Sequence, residues 1–257
     1  MATRESYPPG TPSWVDIGSP DTAASAAFYG PLFGWTAEFD GRPEAGGYGL
    51  FFRDGVVTAG IGPQQAPGPP YWTVYVTTTS ADDTATVATA AGGTVIVEPM
   101  DVLDAGRMVV LQDPQGTFVS AWQPNQHIGS QYVNGPGGFS WNELSTTDLA
   151  ASTAFYAAVF GWTVADGMGG DDANIFQVDG NVVCGAHQAG DGEFPAWSVW
   201  FGVEDCDAAA AQVVELGGTI IQPPNDMDFG RGAVVADPHG AVFGIAATNP
   251  ELIEAAG

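Results

Sequence analysis

The chain has 257 residues and a formal net charge of −25, because 30 acidic residues stand against five arginines and no lysine. An acidic surface of this strength repels nucleic-acid phosphates and anionic lipids, so neither is expected as a partner, and without lysine the chain cannot form a Schiff base. Hydrophobic residues make up 45% of the sequence, no apolar run reaches the roughly 18 residues of a membrane span, and the N-terminal segment lacks the apolar core of a signal peptide, which predicts a globular cytoplasmic protein with reduced thiols.

A segment near the N-terminus predicts a strand followed by a capped helix. Residues 14–18 alternate large and small side chains, Asp21 can cap a helix that extends to about Phe33, and Gly34 can end that helix in a left-handed conformation. The segment SWVDIGSPDTAASAAFYGPLFGWT returns 127 residues later as SWNELSTTDLAASTAFYAAVFGWT, with 13 of 24 positions identical. A repeat of this length and spacing predicts two homologous domains rather than a solenoid.

Further strands and a second helix complete each repeat. In the first repeat the sequence predicts strands over 35–39, 48–53, 56–62, 71–77, 94–97, 107–112 and 118–122, and a helix over 82–91. An acidic loop is predicted over 99–106, and Asp113-Pro114-Gln115-Gly116 is typical of a turn. The second repeat has the same order, which predicts an α+β fold with domains at 1–123 and 139–257 and a linker at 124–138.

Two motifs in each half are similar to those of a known superfamily. AFYGPLFGWT and AFYAAVFGWT resemble its A-F-Y-x-x-x-L-G-W/F helix, while Arg107 through Asp113-Pro114-Gln115-Gly116 and Arg231 through Asp237-Pro238-His239-Gly240 resemble its R-x5-D-P-x-G motif. The chain thus resembles the vicinal oxygen chelate superfamily of glyoxalases, bleomycin-resistance proteins and extradiol dioxygenases, and its linker is similar to that of an actinobacterial two-domain glyoxalase-like subgroup. The resemblance implies tandem domains, each with two βαβββ modules in a curved mixed sheet. We interpret the two arginines as partners of Asp113 and Asp237 across the turns.

The resemblance also implies where a metal would bind. Metal-dependent members carry a His or Gln on the first strand, a His on the fifth and a Glu on the last, because zinc, iron and manganese need such donors. The corresponding positions here are Trp14, Thr73 and Ser120 in the first domain, and Trp141, Ser198 and Gly244 in the second. These residues predict no metal at the inherited position, and no other cofactor is expected. Cys184 and His187 form a C-x-x-H pair with too few ligands for a site, so a buried cysteine beside a surface histidine is the favoured interpretation.

The bowl of each predicted sheet is the expected ligand site. Strand alternation places Trp14 with Asp16, and Trp141 with Glu143, on the face that lines the bowl in the superfamily. A carboxyl group in apolar surroundings has a raised pKa and can act as a general acid or base, so Asp16 and Glu143 are the candidate catalytic residues. The alternative is that they are structural carboxylates, hydrogen-bonded for example to a tyrosine hydroxyl.

Aromatic residues on the strands are the main candidates for binding a flat organic ligand by stacking and apolar burial, although strand alternation does not allow all of them to face one side. His127 could reach a pocket from the linker, or it could simply pack there. The candidate ligand-binding residues are Trp14, Trp72, Trp122, Trp141, Trp197, Trp200, Ser120 and His127.

These observations predict a metal-independent, glyoxalase-like protein that binds a small aromatic or carbonyl-bearing molecule in its bowls and either transforms it by acid/base chemistry, as a tailoring or detoxifying enzyme, or only holds it. The alternative is sequestration without chemistry, as in bleomycin-resistance proteins, for which a cationic drug would suit the charge of −25. A lyase with a recruited metal conflicts with the missing ligands. A monomer or homodimer is expected, and the sequence leaves open whether the bowls form within or across the domains.

Overall fold

The computed structural model describes residues 2–65, 67–227 and 229–248. Within these ranges the chain forms two mixed β-sheets and four α-helices, in agreement with the predicted α+β class. The helices are α1 (Thr22–Phe33), α2 (Ala81–Ala90), α3 (Leu149–Phe160) and α4 (Cys206–Glu215). The strands are β1 (Ala2–Thr3), β2 (Pro12–Ser19), β3 (Trp35–Phe39), β4 (Gly49–Arg53), β5 (Val56–Pro63), β6 (Trp72–Thr77), β7 (Thr94–Val102), β8 (Gly106–Gln112), β9 (Phe118–Pro124), β10 (Tyr132–Val133), β11 (Phe139–Thr146), β12 (Thr163–Gly170), β13 (Ala173–Val178), β14 (Asn181–Gln188), β15 (Ala196–Gly202), β16 (Thr219–Met227), β17 (Gly230–Ala236) and β18 (Val242–Thr248). No helix in the described ranges is long and apolar enough to cross a membrane.

Each sheet is built mainly from one repeat. The first has the order β3-β4-β5-β2-β6-β9-β8-β7, and the second has the order β12-β13-β14-β11-β15-β18-β17-β16. In both sheets the two βαβββ modules meet through their first strands, which pair antiparallel, β2 with β6 and β11 with β15. The sheet faces therefore form within the repeats and not across them. The first residues of the chain belong to the sheet of the second repeat, because β1 pairs with β10 and β10 pairs with β11.

The helix that opens each repeat begins and ends as the sequence predicts. The aspartate before α1 accepts a hydrogen bond from the Ala24 amide, and the aspartate before α3 accepts one from the Ala151 amide. Gly34 and Gly161 end these helices with φ values of 68° and 73°, a left-handed conformation that residues with a Cβ rarely adopt. Both helices therefore have the capping chemistry that fixes where the chain turns back into the sheet.

The helices lie between the two sheets, and the two repeats share one hydrophobic core. Helix α1 contacts α4, and α2 contacts α3, so each helix meets a partner from the other repeat. The ring of Phe33 on α1 lies 4.9 Å from the ring of Phe201 on β15. A single cluster of buried side chains extends through both halves, so the faces of the sheets that carry no helix point away from each other.

The repeated motifs of one half are hydrogen-bonded to those of the other. The Tyr29 hydroxyl donates to Asp237 at 3.0 Å, and the Tyr156 hydroxyl donates to Asp113 at 3.1 Å. Both tyrosines come from the A-F-Y helices, and both aspartates open the D-P-x-G turns. Burial raises the pKa of Asp113, and the hydrogen bonds that it accepts oppose that rise. These motifs thus join the two repeats to each other.

The predicted pairing of Arg107 with Asp113, and of Arg231 with the equivalent aspartate, is wrong. Arg107 lies at the start of β8 and Asp113 follows its end, a separation of about 20 Å along an extended strand. Arg107 instead contacts Asp82 on α2 at 2.8 Å and Asp101 on β7 at 3.0 Å. Arg231 makes the equivalent contacts with acids on α4 and β16. Each arginine fastens a helix to an edge strand.

The predicted acidic loop over 99–106 is too long, because β7 continues to Val102 and only residues 103–105 connect it to β8. Its last residues pair with β8, Met100 with Met108 and Asp101 with Arg107, so the acidic composition does not interrupt the strand. The ion pair between Asp101 and Arg107 lies across this extension. Cross-strand pairing outweighs the low strand propensity of the acidic residues here.

Candidate functional site

Alternation along β2 divides its side chains between two environments. Val15 and Ile17 belong to the shared core beneath the helices, whereas Trp14 packs with Tyr75 and Trp122 in a separate cluster. We call the face of each sheet that points away from the helices its outer face. The predicted alternation is therefore present, and Trp14 lies on the outer face of the first sheet.

The outer face of the first sheet is filled by the protein's own side chains. Trp14, Tyr75 and Trp122 are at most 9% exposed, and Ser120, the register partner of Tyr75, is fully buried. His127 from the linker covers them, with its ring edge-on to Trp14 at 4.4 Å and 5.9 Å from the ring of Trp122. Burial lowers the pKa of His127 to about 4, so its imidazole is neutral near pH 7. His127 thus packs on the tryptophans, which is one of the two roles that the sequence left open.

Asp16 on this face is held by two hydroxyl groups. Its Oδ2 accepts hydrogen bonds from Tyr48 at 2.9 Å and Tyr75 at 3.0 Å. Burial raises the pKa of Asp16, and the hydrogen bonds oppose that rise. The Trp14 indole donates in turn to the Tyr48 hydroxyl at 3.1 Å. This arrangement agrees with the alternative interpretation of Asp16 as a structural carboxylate.

Trp72 and Trp197 do not lie on an outer face, which corrects their predicted position in the bowls. Each donates its indole N–H to a tyrosine hydroxyl inside the shared core, Trp72 to Tyr29 at 3.2 Å and Trp197 to Tyr156 at 3.0 Å. The reason is strand alternation, since each precedes by one residue the position that faces outward. These two tryptophans stabilise the junction of sheet and helix.

The outer face of the second sheet carries a carboxylate next to an imidazole. Glu143 accepts a hydrogen bond from the Trp141 indole at 2.8 Å, and its other oxygen lies 3.3 Å from Nδ1 of His187. His187 Nε2 lies 2.9 Å from Glu193 in the loop after β14. The Glu143 and His187 side chains are 23% and 35% exposed, so both remain accessible to a ligand.

The charge state of His187 follows from these neighbours. The hydrogen bond to Glu143, followed by the contact with Glu193, raises the pKa of His187 to about 9 despite partial burial. The ring is therefore protonated near pH 7 and can donate from both nitrogens. A protonated imidazole beside a carboxylate provides a proton donor and a proton acceptor on one accessible surface.

Neither His187 nor Glu193 was identified as a site residue from the sequence. Cys184 of the C-x-x-H pair is buried in the core while His187 lies on the outer face, so the two residues do not form a common site. Strands β11 and β14 pair in parallel, with Ser145 opposite His187. Only knowledge of that pairing would have placed His187 near Glu143, because the two residues are far apart in sequence.

Equivalent positions on the two outer faces differ in size. The pairing registers align the first sheet's Tyr48, Met108, Ser120 and Trp122 with Ala173, Gly232, Gly244 and Ala246 of the second. Trp200, the counterpart of Tyr75, is half-buried and lies over the backbone of Gly232 and Gly244. The second face therefore has small side chains where the first has large ones, and its aromatic residues keep exposed surface.

The donor atoms on the outer faces do not fit a divalent metal. The positions that the resemblance assigns to ligands carry tryptophan, threonine, serine or glycine. Among the described residues, no group of three or more His, Cys, Asp and Glu side chains is arranged to hold an ion. His187 directs its two nitrogens at two different carboxylates, so it and the two glutamates do not converge on one point.

Comparison with known proteins defines the class. Residues 11–120 match the family described as Glyoxalase/Bleomycin resistance protein/Dioxygenase superfamily, and residues 142–246 match the family described as Glyoxalase-like domain. The chain therefore belongs to the glyoxalase and dioxygenase superfamily, also called the vicinal oxygen chelate superfamily, as its motifs predict.

Two relatives align with this chain over nearly their whole length. The chain is 40% identical to the anthracycline biosynthesis protein DauV of Streptomyces sp. strain C5, over 93% of this chain and 94% of that protein. It is 39% identical to the anthracycline biosynthesis protein DnrV of Streptomyces peucetius, over 98% of both chains. Among solved structures, the Mn(II)-bound glyoxalase from Novosphingobium aromaticivorans superposes with a TM-score of 0.68 at 17% identity, over 93% of this chain and 82% of that one, which shows a shared fold.

Proposed function

We propose that the outer face of the second sheet binds a small organic molecule and transfers protons on it without a metal. The observation that carries this proposal is the partly exposed pair of Glu143 and His187, whose Oε1 and Nδ1 atoms lie 3.3 Å apart. The pair lies on a face that has smaller side chains than the first outer face. The first outer face is filled by Trp14, Trp122 and His127. We therefore assign one site to the chain and not two, and we assign no proton transfer to Asp16.

The chemistry of the pair suits a carbonyl-bearing molecule. Glu143 would take a proton from the carbon next to the carbonyl group while His187 gives a proton to the carbonyl oxygen, which forms an enol. Return of the proton from Glu143 to carbon, while the enol proton goes back to His187, regenerates the ketone with either configuration at that carbon. Each group is restored, so the cycle needs no co-reactant.

The relatives support a role in tailoring a small molecule, because two proteins that align over nearly their whole length are named for anthracycline biosynthesis. A cytoplasmic location and a monomeric or homodimeric state belong to the same proposal.

A second candidate function is sequestration without conversion. The net charge of −25 and the exposed carboxylate of Glu193 favour a cationic molecule held on the same face. Under this alternative, Glu143→Gln or Glu193→Gln would weaken binding of a cation, and the bound molecule would be recovered unchanged.

The proposal is tested by hydrogen exchange on carbon. Aryl α-hydroxy ketones, beginning with 2-hydroxyacetophenone, are incubated with the protein in D2O, and loss of the α-proton is followed by NMR. We expect Glu143→Gln to slow catalysed exchange at least about 100-fold, because a general base contributes a factor of that order. Asp16→Asn is the matched control in the other sheet and should retain exchange if it folds. Unchanged exchange in Glu143→Gln, or exchange that is lost on treatment with a chelator and restored by a metal, would contradict the proposal.

A further inference from the structure

The indole ring of Trp200 packs flat against two glycines of the neighbouring strands. A Cβ added at Gly244 would overlap the fused part of its indole, and one added at Gly232 would lie 3.1 Å from its Cζ3. One face of the ring thus rests on the backbone of β17 and β18, and at Gly244 only glycine leaves enough room for it. The ring of Phe229 stands edge-on to it at 6.5 Å, and Trp200 retains exposed surface.

The hydrogen-bonding group of Trp200 is already engaged by the protein. Its indole N–H donates to the Ser198 hydroxyl at 3.2 Å, and the Ser198 hydroxyl donates to the carbonyl oxygen of Glu143. Trp141, its neighbour across the strands, is engaged in the same way through the Glu143 carboxylate. Two half-buried indoles therefore present ring surface and not donors to a ligand on this face.

We infer that Trp200 is a stacking platform seated on Gly232 and Gly244, and that the ligand of this face contains a planar aromatic ring system. The inference rests on the proposed function for the position of the site. A planar ring on the exposed surface of Trp200 gains offset stacking, which a puckered saturated ring of equal skeleton cannot match. The polar edge of that ligand would then point toward Glu143, the neighbour of Trp141 on the same face.

The experiment compares two alcohols that share a carbon skeleton and a hydroxyl group, 2-naphthol and decahydro-2-naphthol. Isothermal titration calorimetry with the full chain measures both dissociation constants near neutral pH. We expect 2-naphthol to bind about fivefold more tightly, the factor typical of one aromatic pair. Trp200→Leu, which keeps an apolar side chain, should abolish that preference, and Gly244→Ala should reduce it by displacing the ring. Tyr75→Phe, at the equivalent position of the first sheet, should leave it unchanged.

Three outcomes would overturn the inference: equal affinity for the two alcohols, no binding of either, or a preference that persists in Trp200→Leu. A preference that persists there but disappears in Trp141→Leu would leave the proposed site in place and remove only the platform assignment. Conversely, unchanged proton exchange in Glu143→Gln together with a preference that depends on Trp200 would refute the proposed chemistry and leave the platform intact.

Discussion

The outer faces of the two sheets share a sequence pattern but hold their acidic side chains differently. Both carry a tryptophan and an acid on the first strand, and in both the acid lies across from a glycine of the neighbouring strand. In the first sheet the acid accepts hydrogen bonds from two tyrosine hydroxyls beneath a covering histidine, while in the second it contacts a partly exposed imidazole. The difference teaches that the surrounding side chains, rather than the acid itself, decide whether a carboxylate is structural or available for chemistry.

We expect the largest difference in stability between alanine variants at Trp122 and at Trp200. Trp122→Ala should destabilise the protein by about 3–5 kcal/mol, because its ring is buried and its removal leaves a cavity. Trp200→Ala should cost about 1 kcal/mol, since that side chain is half-buried. Urea unfolding of the two variants measures both values, and equal losses would mean that the second face is as tightly packed as the first.

His127 should make the protein sensitive to acid. Its pKa is lowered to about 4 in the folded chain from an ordinary value of 6.5, so the unfolded chain binds the additional proton between these values. Stability should therefore fall as the pH drops from 6.5 toward 4, by about 2–3 kcal/mol from this group. His127→Phe keeps the aromatic packing and should flatten that part of the stability profile relative to wild type. A profile with the same slope in both proteins would show that His127 is not buried in the neutral form.

The contribution of His187 to stability should change with pH in the opposite direction, and by a smaller amount. Its folded pKa of about 9 lies above the ordinary 6.5, so its contribution to stability is complete below pH 6.5 and is lost as the pH rises through 9. Solvent screening of this partly exposed group limits the effect to about 1 kcal/mol. NMR titration of the imidazole measures the pKa directly, and Glu143→Gln should lower it. A pKa near 6.5 in the wild type would show that the imidazole does not interact with the two carboxylates.

Local chemistry explains what the sequence could predict. The capped helix after β2 depends on Asp21 and Gly34, which act within a few residues, and alternation assigns Trp14 and Asp16 to one face. The same alternation explains why Trp72 faces the core. It does so only once the register between β6 and β2 is known, because the register decides which set of alternating residues in β6 faces outward. The order of the longer strands and of the helices could likewise be predicted, because each of these elements has its own periodicity, whereas the two-residue strands β1 and β10 are too short to show one.

The remaining features depend on contacts between distant segments. His187 meets Glu143 only because β11 and β14 run in parallel at one register. Tyr29 reaches Asp237 because helices from different repeats pack together, which no pattern within one repeat encodes. The extension of β7 is set by its partner β8 and not by the acidic residues of the strand itself.

The reciprocal hydrogen bonds of Tyr29 with Asp237 and of Tyr156 with Asp113 have a consequence for how such a protein can diverge. They are the contacts that a symmetric dimer of single repeats would make, since each bond occurs twice with exchanged roles. In such a dimer every substitution would appear in both copies, so the two surfaces could not change independently. Joining the copies in one polypeptide removes that constraint: one half can become a rigid support while the other remains free to specialise.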